Sequence, residues 1–149
     1  MVRRPAVAGM FYPAEAHELA RTLDDLWPAS DLPPIPALAV VSPHAGYVYS
    51  GRIAAKAIAQ VVVPETVVVL GPNHRGLGAP AAIMTAGTWL MPDGKVELDQ
   101  DLGQSLLAKS QILEEDSRAH AQEHSLEVQL PFLKRVNPDF KLVPICLAR

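Results

Sequence analysis

The chain has 149 residues, 49% of them hydrophobic, with a formal net charge of −3, enough apolar material for one core, so a single domain is expected over residues 1–149. The mildly acidic balance without a basic run argues against nucleic acid as a principal partner, and no uninterrupted apolar stretch is long enough to span a bilayer. The single cysteine, Cys146, excludes an internal disulfide framework and fits a reducing cytoplasm.

Arg3-Arg4 and the apolar stretch Ala6 to Tyr12 loosely imitate a secretion signal. That stretch is short, interrupted by Gly9 and flanked by Pro5 and Pro13, so a folded N-terminal segment is expected instead. Pro13 can start a helix running to Trp27, with Leu19, Leu23, Leu26 and Trp27 as its inward stripe and His17 on the wet side. The proline-rich stretch Pro28 to Pro36 reads as an extended connector.

Ala37 to Val41 then reads as a buried strand, closed by Ser42-Pro43-His44. Ser50 to Val63 predicts a helix, with Ser50 as its N-cap and Ile53, Ala57, Ile58 and Val61 on one face. Val67 to Leu70 repeats the strand pattern and is closed by Gly71-Pro72-Asn73-His74. Strand, helix and strand together predict a right-handed crossover with parallel strands. Its two histidines would leave the carboxyl edge of the sheet, where open α/β folds place ligands. Directly paired strands lie ~4.8 Å apart, so the two imidazoles could reach one metal ion.

Arg75 to Pro80 is a loop in which Gly76 and Gly78 permit unusual backbone angles. Ala81 to Thr85 and Thr88 to Met91 are weaker strands, followed by a turn at Pro92-Asp93-Gly94. Asp99 can cap a helix to Lys109 that buries Leu102 and Leu106, and Glu114-Glu115-Asp116 reads as a solvated acidic loop. Ser125 to Val136 has helical spacing, with Pro131 dividing or kinking it. Phe140 to Leu147 reads as a last strand with no helix after it, which suggests a fragment or a partner that completes the sheet.

Four phrases carry a resemblance: Arg4 to Pro13 (RPAVAGMFYP), Pro43 to Gly51 (PHAGYVYSG), Gly71 to His74 (GPNH) and Glu123 to Phe132 (EHSLEVQLPF). In this order, the chain resembles the Memo family, called AmmeMemoRadiSam system protein B in prokaryotes. The resemblance implies a three-layer α/β/α sandwich with a largely parallel central sheet, related to the class III extradiol dioxygenases. In those relatives two strand-end histidines hold a non-heme iron, and His44 and His74 match that pattern. It also implies a longer protein whose C-terminal half supplies further pocket residues, including a cysteine that Cys146 does not replace. This chain then reads as the N-terminal part of the family fold.

The candidate site follows. His44 and His74 are candidate metal ligands, each needing its second nitrogen held by another group. Two imidazoles do not complete a usual iron or zinc site, and no third ligand is evident. His124 is the candidate proton donor or acceptor, with Glu127 one turn on, although Glu123, Ser125 and Glu127 could simply satisfy a helix start. Tyr47 and Asn73 are further pocket candidates; packing and turn formation are their plainer uses.

The resemblance implies a redox metal, iron or copper, and oxygen or redox chemistry on a small molecule. The rival reading is a non-catalytic module binding a peptide or organic ligand. A third is an inverted zinc-peptidase motif, His120-Ala121-Gln122-Glu123-His124, with both histidines on one helix face and Glu123 placed to activate water. No glycine-rich segment matches a nucleotide-binding loop, so no nucleotide cofactor is expected. A homo-oligomer or a second polypeptide is a further expectation.

Overall fold

The computed structural model describes residues 1–29 and 32–148. Its central sheet runs in the order β2 (Thr66–Pro72), β7 (Lys141–Leu147), β3 (Ala81–Ile83), β6 (Glu114–Glu115). The valine-rich run of β2 pairs in parallel with β7 along its whole length, from Thr66 opposite Lys141 to Pro72 opposite Leu147. β3 is antiparallel to β7 and parallel to β6, so the sheet is mixed, with parallel pairing at two of its three strand junctions. A smaller sheet joins β1 (Val2–Arg3), β4 (Thr88–Met91) and β5 (Gly94–Glu97). β4 and β5 form a hairpin through Pro92-Asp93, and Gly94 takes the φ of +122° that this turn requires.

Strand alternation divides the side chains of β7 between two layers. Leu142 and Cys146 enter the main core with Ala55 and Ile58 of α2 (Tyr47–Ala59), Leu19 and Leu23 of α1 (Ala16–Leu26), and Phe132 and Leu133 of α5 (Leu130–Val136). Val143 and Ile145 face the other way, with Ile83, against Leu102, Leu106 and Leu107 of α3 (Gln100–Lys109). Helix, sheet and helix are thus stacked as an α/β sandwich. Asp99 caps α3 by accepting from the Leu102 amide at 3.0 Å, although Leu102 and Leu106 are only half-buried.

The largest departure from the sequence reading is at residues 37–41, which form no strand. Leu38 and Val41 are almost fully exposed, and nearby backbone pairing is limited to a bridge between Ile35 and Val61. β2 pairs instead with β7, so the expected direct strand–helix–strand crossover is a loop, a helix and a strand. The cause lies on the opposite face of β2. Val68 and Leu70 share the face of Val143 and Ile145, yet they remain 41% and 64% exposed because α3 covers only the β7 and β3 side. A strand added there would have one face in water, and Pro33, Pro34 and Pro36 just before it have no N–H to pair.

Other boundaries shift for local reasons. α1 starts at Ala16 rather than Pro13. α2 starts at Tyr47, so Ser50 lies inside it and its hydroxyl donates to the Ala45 carbonyl at 3.2 Å instead of capping. Ser125 to Val136 is a 3-10 turn, Glu127–Gln129, leading into α5. Pro131 sits in the first turn of α5, where its missing N–H breaks no helical bond. Glu114 and Glu115 are a paired strand rather than a loose loop, and the Glu115 carboxylate accepts from the Thr85 amide. Among the described residues, no helix is long and apolar enough to cross a membrane.

Candidate functional site

His74 follows the end of β2, where Asn73 builds the turn. The Asn73 amide donates to Leu147 O at 2.8 Å, its side-chain carbonyl accepts from the amides of Arg75 and Gly76, and its Nδ2 donates to Leu77 O. Gly76 and Gly78 then adopt φ of +62° and +77°. Asn73 therefore shapes the loop that carries His74 through its own hydrogen bonds. His44 comes from the loop before α2 rather than from a strand end. That loop is held by the Tyr47 amide donating to Phe11 O at 2.8 Å and by Gln129 Nε2 donating to Pro43 O at 2.9 Å. His124 lies between α4 (Arg118–Ala121) and the 3-10 turn.

These three imidazoles meet. Ring centroids are 5.2 Å apart for His44 and His74, 5.9 Å for His44 and His124, and 4.6 Å for the nearly parallel pair His74 and His124. One nitrogen from each lies within 4.8 Å of the others, a spacing that a single metal ion can bridge. The geometry brings His44 and His74 together without a strand under His44, and it puts His124 in the same cluster.

Glu123 anchors two of the rings. Its carboxylate is 1% exposed and accepts from the amides of His74 (2.6 Å), His124 (2.8 Å) and Ser125 (2.8 Å), and from His74 Nδ1 at 3.0 Å. His124 Nδ1 lies 3.2 Å from the same oxygen as His74 Nδ1. Burial works to raise the Glu123 pKa, but these donors outweigh it and hold the group down at about 2. Burial lowers the pKa of His44, helped by the neighbouring His74. Burial also lowers that of His124, against the pull of Glu123 and with help from His74, His44 and Arg75. Both shifts favour the neutral rings a metal requires.

Beside the imidazoles opens a cleft of about 540 Å³ lined by Phe11, Pro43, His44, Tyr49 and His124. Phe11 packs on the His124 ring at 4.7 Å, so the N-terminal segment is part of the site's floor as well as of the core. A second cleft of about the same volume runs along Met10, Glu15, Glu18 and Asp25; it holds no imidazole and offers no comparable chemistry.

The other pocket candidates are engaged elsewhere. The Glu127 carboxylate is fully buried and holds Arg3 Nη1 at 2.5 Å, the amides of Ala6 and Val7, and the Tyr12 hydroxyl at 2.6 Å. It fastens the N-terminal segment to the core. Tyr47 is also buried: its hydroxyl donates to Val128 O at 2.9 Å and its ring packs on Phe132. Tyr49, its neighbour, is the tyrosine that faces the cleft.

The inverted peptidase pattern lacks its helix. α4 ends at Ala121, so His120 and His124 do not share a helical face. His120 is wholly buried, with Nδ1 3.4 Å from Cys146 Sγ and its ring edge-on to Trp89. Burial, aided by the charge of Arg3, pushes its pKa down to about 4. Burial likewise pushes the Cys146 thiol up to about 12, which keeps it protonated and inert. Sequence reasoning considered Glu123 only as a water activator or a helix-start residue, and passed over Phe11. The adjacency of Glu123 to His124 was the one available signal for the first, and Phe11 gave none.

Residues 3–149 match the family model described as Memo-like protein. The chain belongs to the Memo family. Among Memo relatives, it is 48% identical over 162 aligned residues to a MEMO1 family protein of Methanopyrus kandleri, covering 99% of this chain and 57% of that protein. It is 49% identical to one from Archaeoglobus fulgidus and 44% identical to one from Thermotoga neapolitana, covering 54% and 58% of those proteins. This Memo chain thus spans little more than half the length of the curated relatives it matches.

Proposed function

We propose that this Memo chain binds one redox-active metal ion, iron or copper, through His44, His74 and His124, and that the site serves oxygen or redox chemistry on a small molecule held in the adjoining cleft. The observation carrying this reading is the convergence of three ligand nitrogens within 4.8 Å. Imidazole suits iron, copper and zinc alike. A two-histidine, one-carboxylate triad fits less well, because the Glu123 carboxylate is already committed to amides and to His74 Nδ1. With His124 as third ligand, its sequence-based role as a free proton carrier gives way to coordination.

Such a metal, when bound, supplies Lewis acidity and one-electron chemistry. The chain's own residues do the rest. Glu123 and the Asn73 turn orient His74, Phe11 supports His124, and Phe11 with Tyr49 gives the cleft an apolar wall that excludes water from one side of a ligand.

The test is metal analysis after anaerobic, reducing purification. Stoichiometric iron or copper, lost in His44→Ala, His74→Ala and His124→Ala variants that still fold, supports the reading. Metal content unchanged in any of the three rejects that ligand. The rival reading, a metal-free module for a peptide or organic ligand, rests on the apolar wall alone. It gains if the purified chain binds no metal yet the cleft still takes a ligand.

In the same reading, the uncovered face of β2, with Val68 and Leu70, is covered by polypeptide corresponding to the part of the relatives outside the match. Joining that part to this chain is expected to slow hydrogen exchange at the β2 edge amides. Unchanged exchange refutes it.

A further inference from the structure

We infer that Glu123 is a positioning residue that sets which nitrogen of His74 is free to bind. The inference rests on the proposed metal reading only for its consequence; its basis is the hydrogen-bond geometry around one buried carboxylate.

Two segments far apart in sequence meet at this carboxylate. One oxygen accepts the His74 amide. The other accepts the amides of His124 and Ser125 together with His74 Nδ1, and lies 3.2 Å from His124 Nδ1. An ionised carboxylate has no proton to give, so a bond to a neutral imidazole requires the proton on the ring nitrogen that faces it. His74 is thereby fixed as its Nδ1–H form, and the lone pair is left on Nε2. His124, whose ring lies nearly parallel to that of His74 at 4.6 Å, is held by its amide on the same oxygen, so the carboxylate fixes the segment that carries it rather than its tautomer.

Side chains in this outer position hold ring and tautomer together, and their loss typically weakens metal binding 10–100-fold. The backbone bonds add a second function: the end of β2 and the His124 segment cannot separate without breaking them. Ser125 closes the junction by donating its hydroxyl to Pro72 O at 2.9 Å.

The decisive experiment uses the metal-free chain with ¹⁵N-labelled histidine, observed by long-range ¹H–¹⁵N correlation at about pH 8, where imidazole is ordinarily neutral. In the wild-type chain His74 should show a protonated Nδ1 and an unprotonated Nε2. In Glu123→Gln, the side-chain oxygen can still accept backbone amides while the carboxylate charge is gone. His74 should there lose its single tautomer, and Co²⁺ affinity should fall about 10–100-fold. A purely structural role would lower stability and leave the tautomer pattern intact.

Wild-type His74 with its proton on Nε2 overturns the inference, even if Glu123→Gln fails to fold. So does a folded Glu123→Gln with unchanged tautomer and Co²⁺ affinity. A fixed Nδ1–H form in wild type, lost in Glu123→Gln, upholds the positioning role even where the wild-type chain takes up no Co²⁺; that last result would count against the metal reading alone.

Discussion

Glu127→Ala gives the sharpest test of how the N-terminal segment is held. The side chain is fully buried and balances Arg3, which is itself 6% exposed. It also accepts from the amides of Ala6 and Val7 and from the Tyr12 hydroxyl, whose pKa is raised by burial and by the Glu127 charge. Removing one member of a buried ion pair costs about 3–5 kcal/mol, because the other charge stays buried without a partner. The three orphaned donors would each add to this, but they share the same cavity, which water can enter, so the costs do not simply sum. A net loss of about 4 kcal/mol is expected, a large share of the roughly 5–15 kcal/mol available to a domain.

Urea unfolding followed by tryptophan fluorescence is a suitable assay, since the Arg3 guanidinium stacks over Trp89 at 4.2 Å. With a slope of about 2 kcal/mol per molar urea, the midpoint should drop by about 2 M. Glu127→Gln keeps the shape and one acceptor but not the charge, and should lose less. In Arg3→Met/Glu127→Leu the two losses should fall well short of additive, because no charge remains buried. A loss below about 1 kcal/mol in Glu127→Ala, or strict additivity in the double variant, would refute this view of the pair.

Other expectations follow from the same contacts. A Cβ at Gly71 would lie 2.5 Å from Leu126 Cδ1 and 2.8 Å from Ser125 Oγ, so Gly71→Ala should cost about 1–3 kcal/mol by thermal melting and weaken metal uptake by displacing the His124 segment. An unchanged melting temperature would mean that segment yields freely. His120 is neutral in the folded chain down to about pH 4, whereas in the unfolded chain it takes a proton near pH 6.5. Its contribution is therefore complete above pH 6.5 and lost as pH falls from 6.5 to 4, by roughly 3 kcal/mol. His44 and His124 act in the same direction, and Glu123 adds a further loss from pH 4.5 toward 2. His120→Leu should flatten the upper part of this acid limb in denaturation measured across pH; an unchanged limb would assign it to other groups.

Much of the site was legible because its signals are local. A valine-rich run, a proline and a histidine place His74 at the end of β2, and Asn73 forms the turn while Gly76 and Gly78 take the positive φ expected of them. The same pattern misled at residues 37–41. An apolar run shows that a segment favours burial, but not whether an edge and a covering layer exist to receive it. Here Val68 and Leu70 stay uncovered and the run stays out of the sheet. His44 still reaches the site because the α2 loop is tied to Phe11 and Gln129, contacts between segments that no short window contains.

Glu127 and Glu123 exchange the importance that spacing suggested. A continuous helix from Ser125 would place Glu127 beside His124, but a 3-10 turn directs it to Arg3, and the residue before His124 becomes the one that touches both rings. The α/β class was readable from the alternation of strands and helices. The one antiparallel junction of the central sheet was not, because β3 reverses direction through pairing with β7, a choice made by tertiary packing.

X-ray absorption at the metal edge of the chain loaded with stoichiometric Fe(II) under anaerobic conditions tests the central claim most directly. Coordination through three imidazoles, from His44, His74 and His124, should give the multiple-scattering signature of histidine, reduced by one ring in each single alanine variant. A spectrum with no imidazole scattering, or one that none of the three substitutions changes, would contradict it.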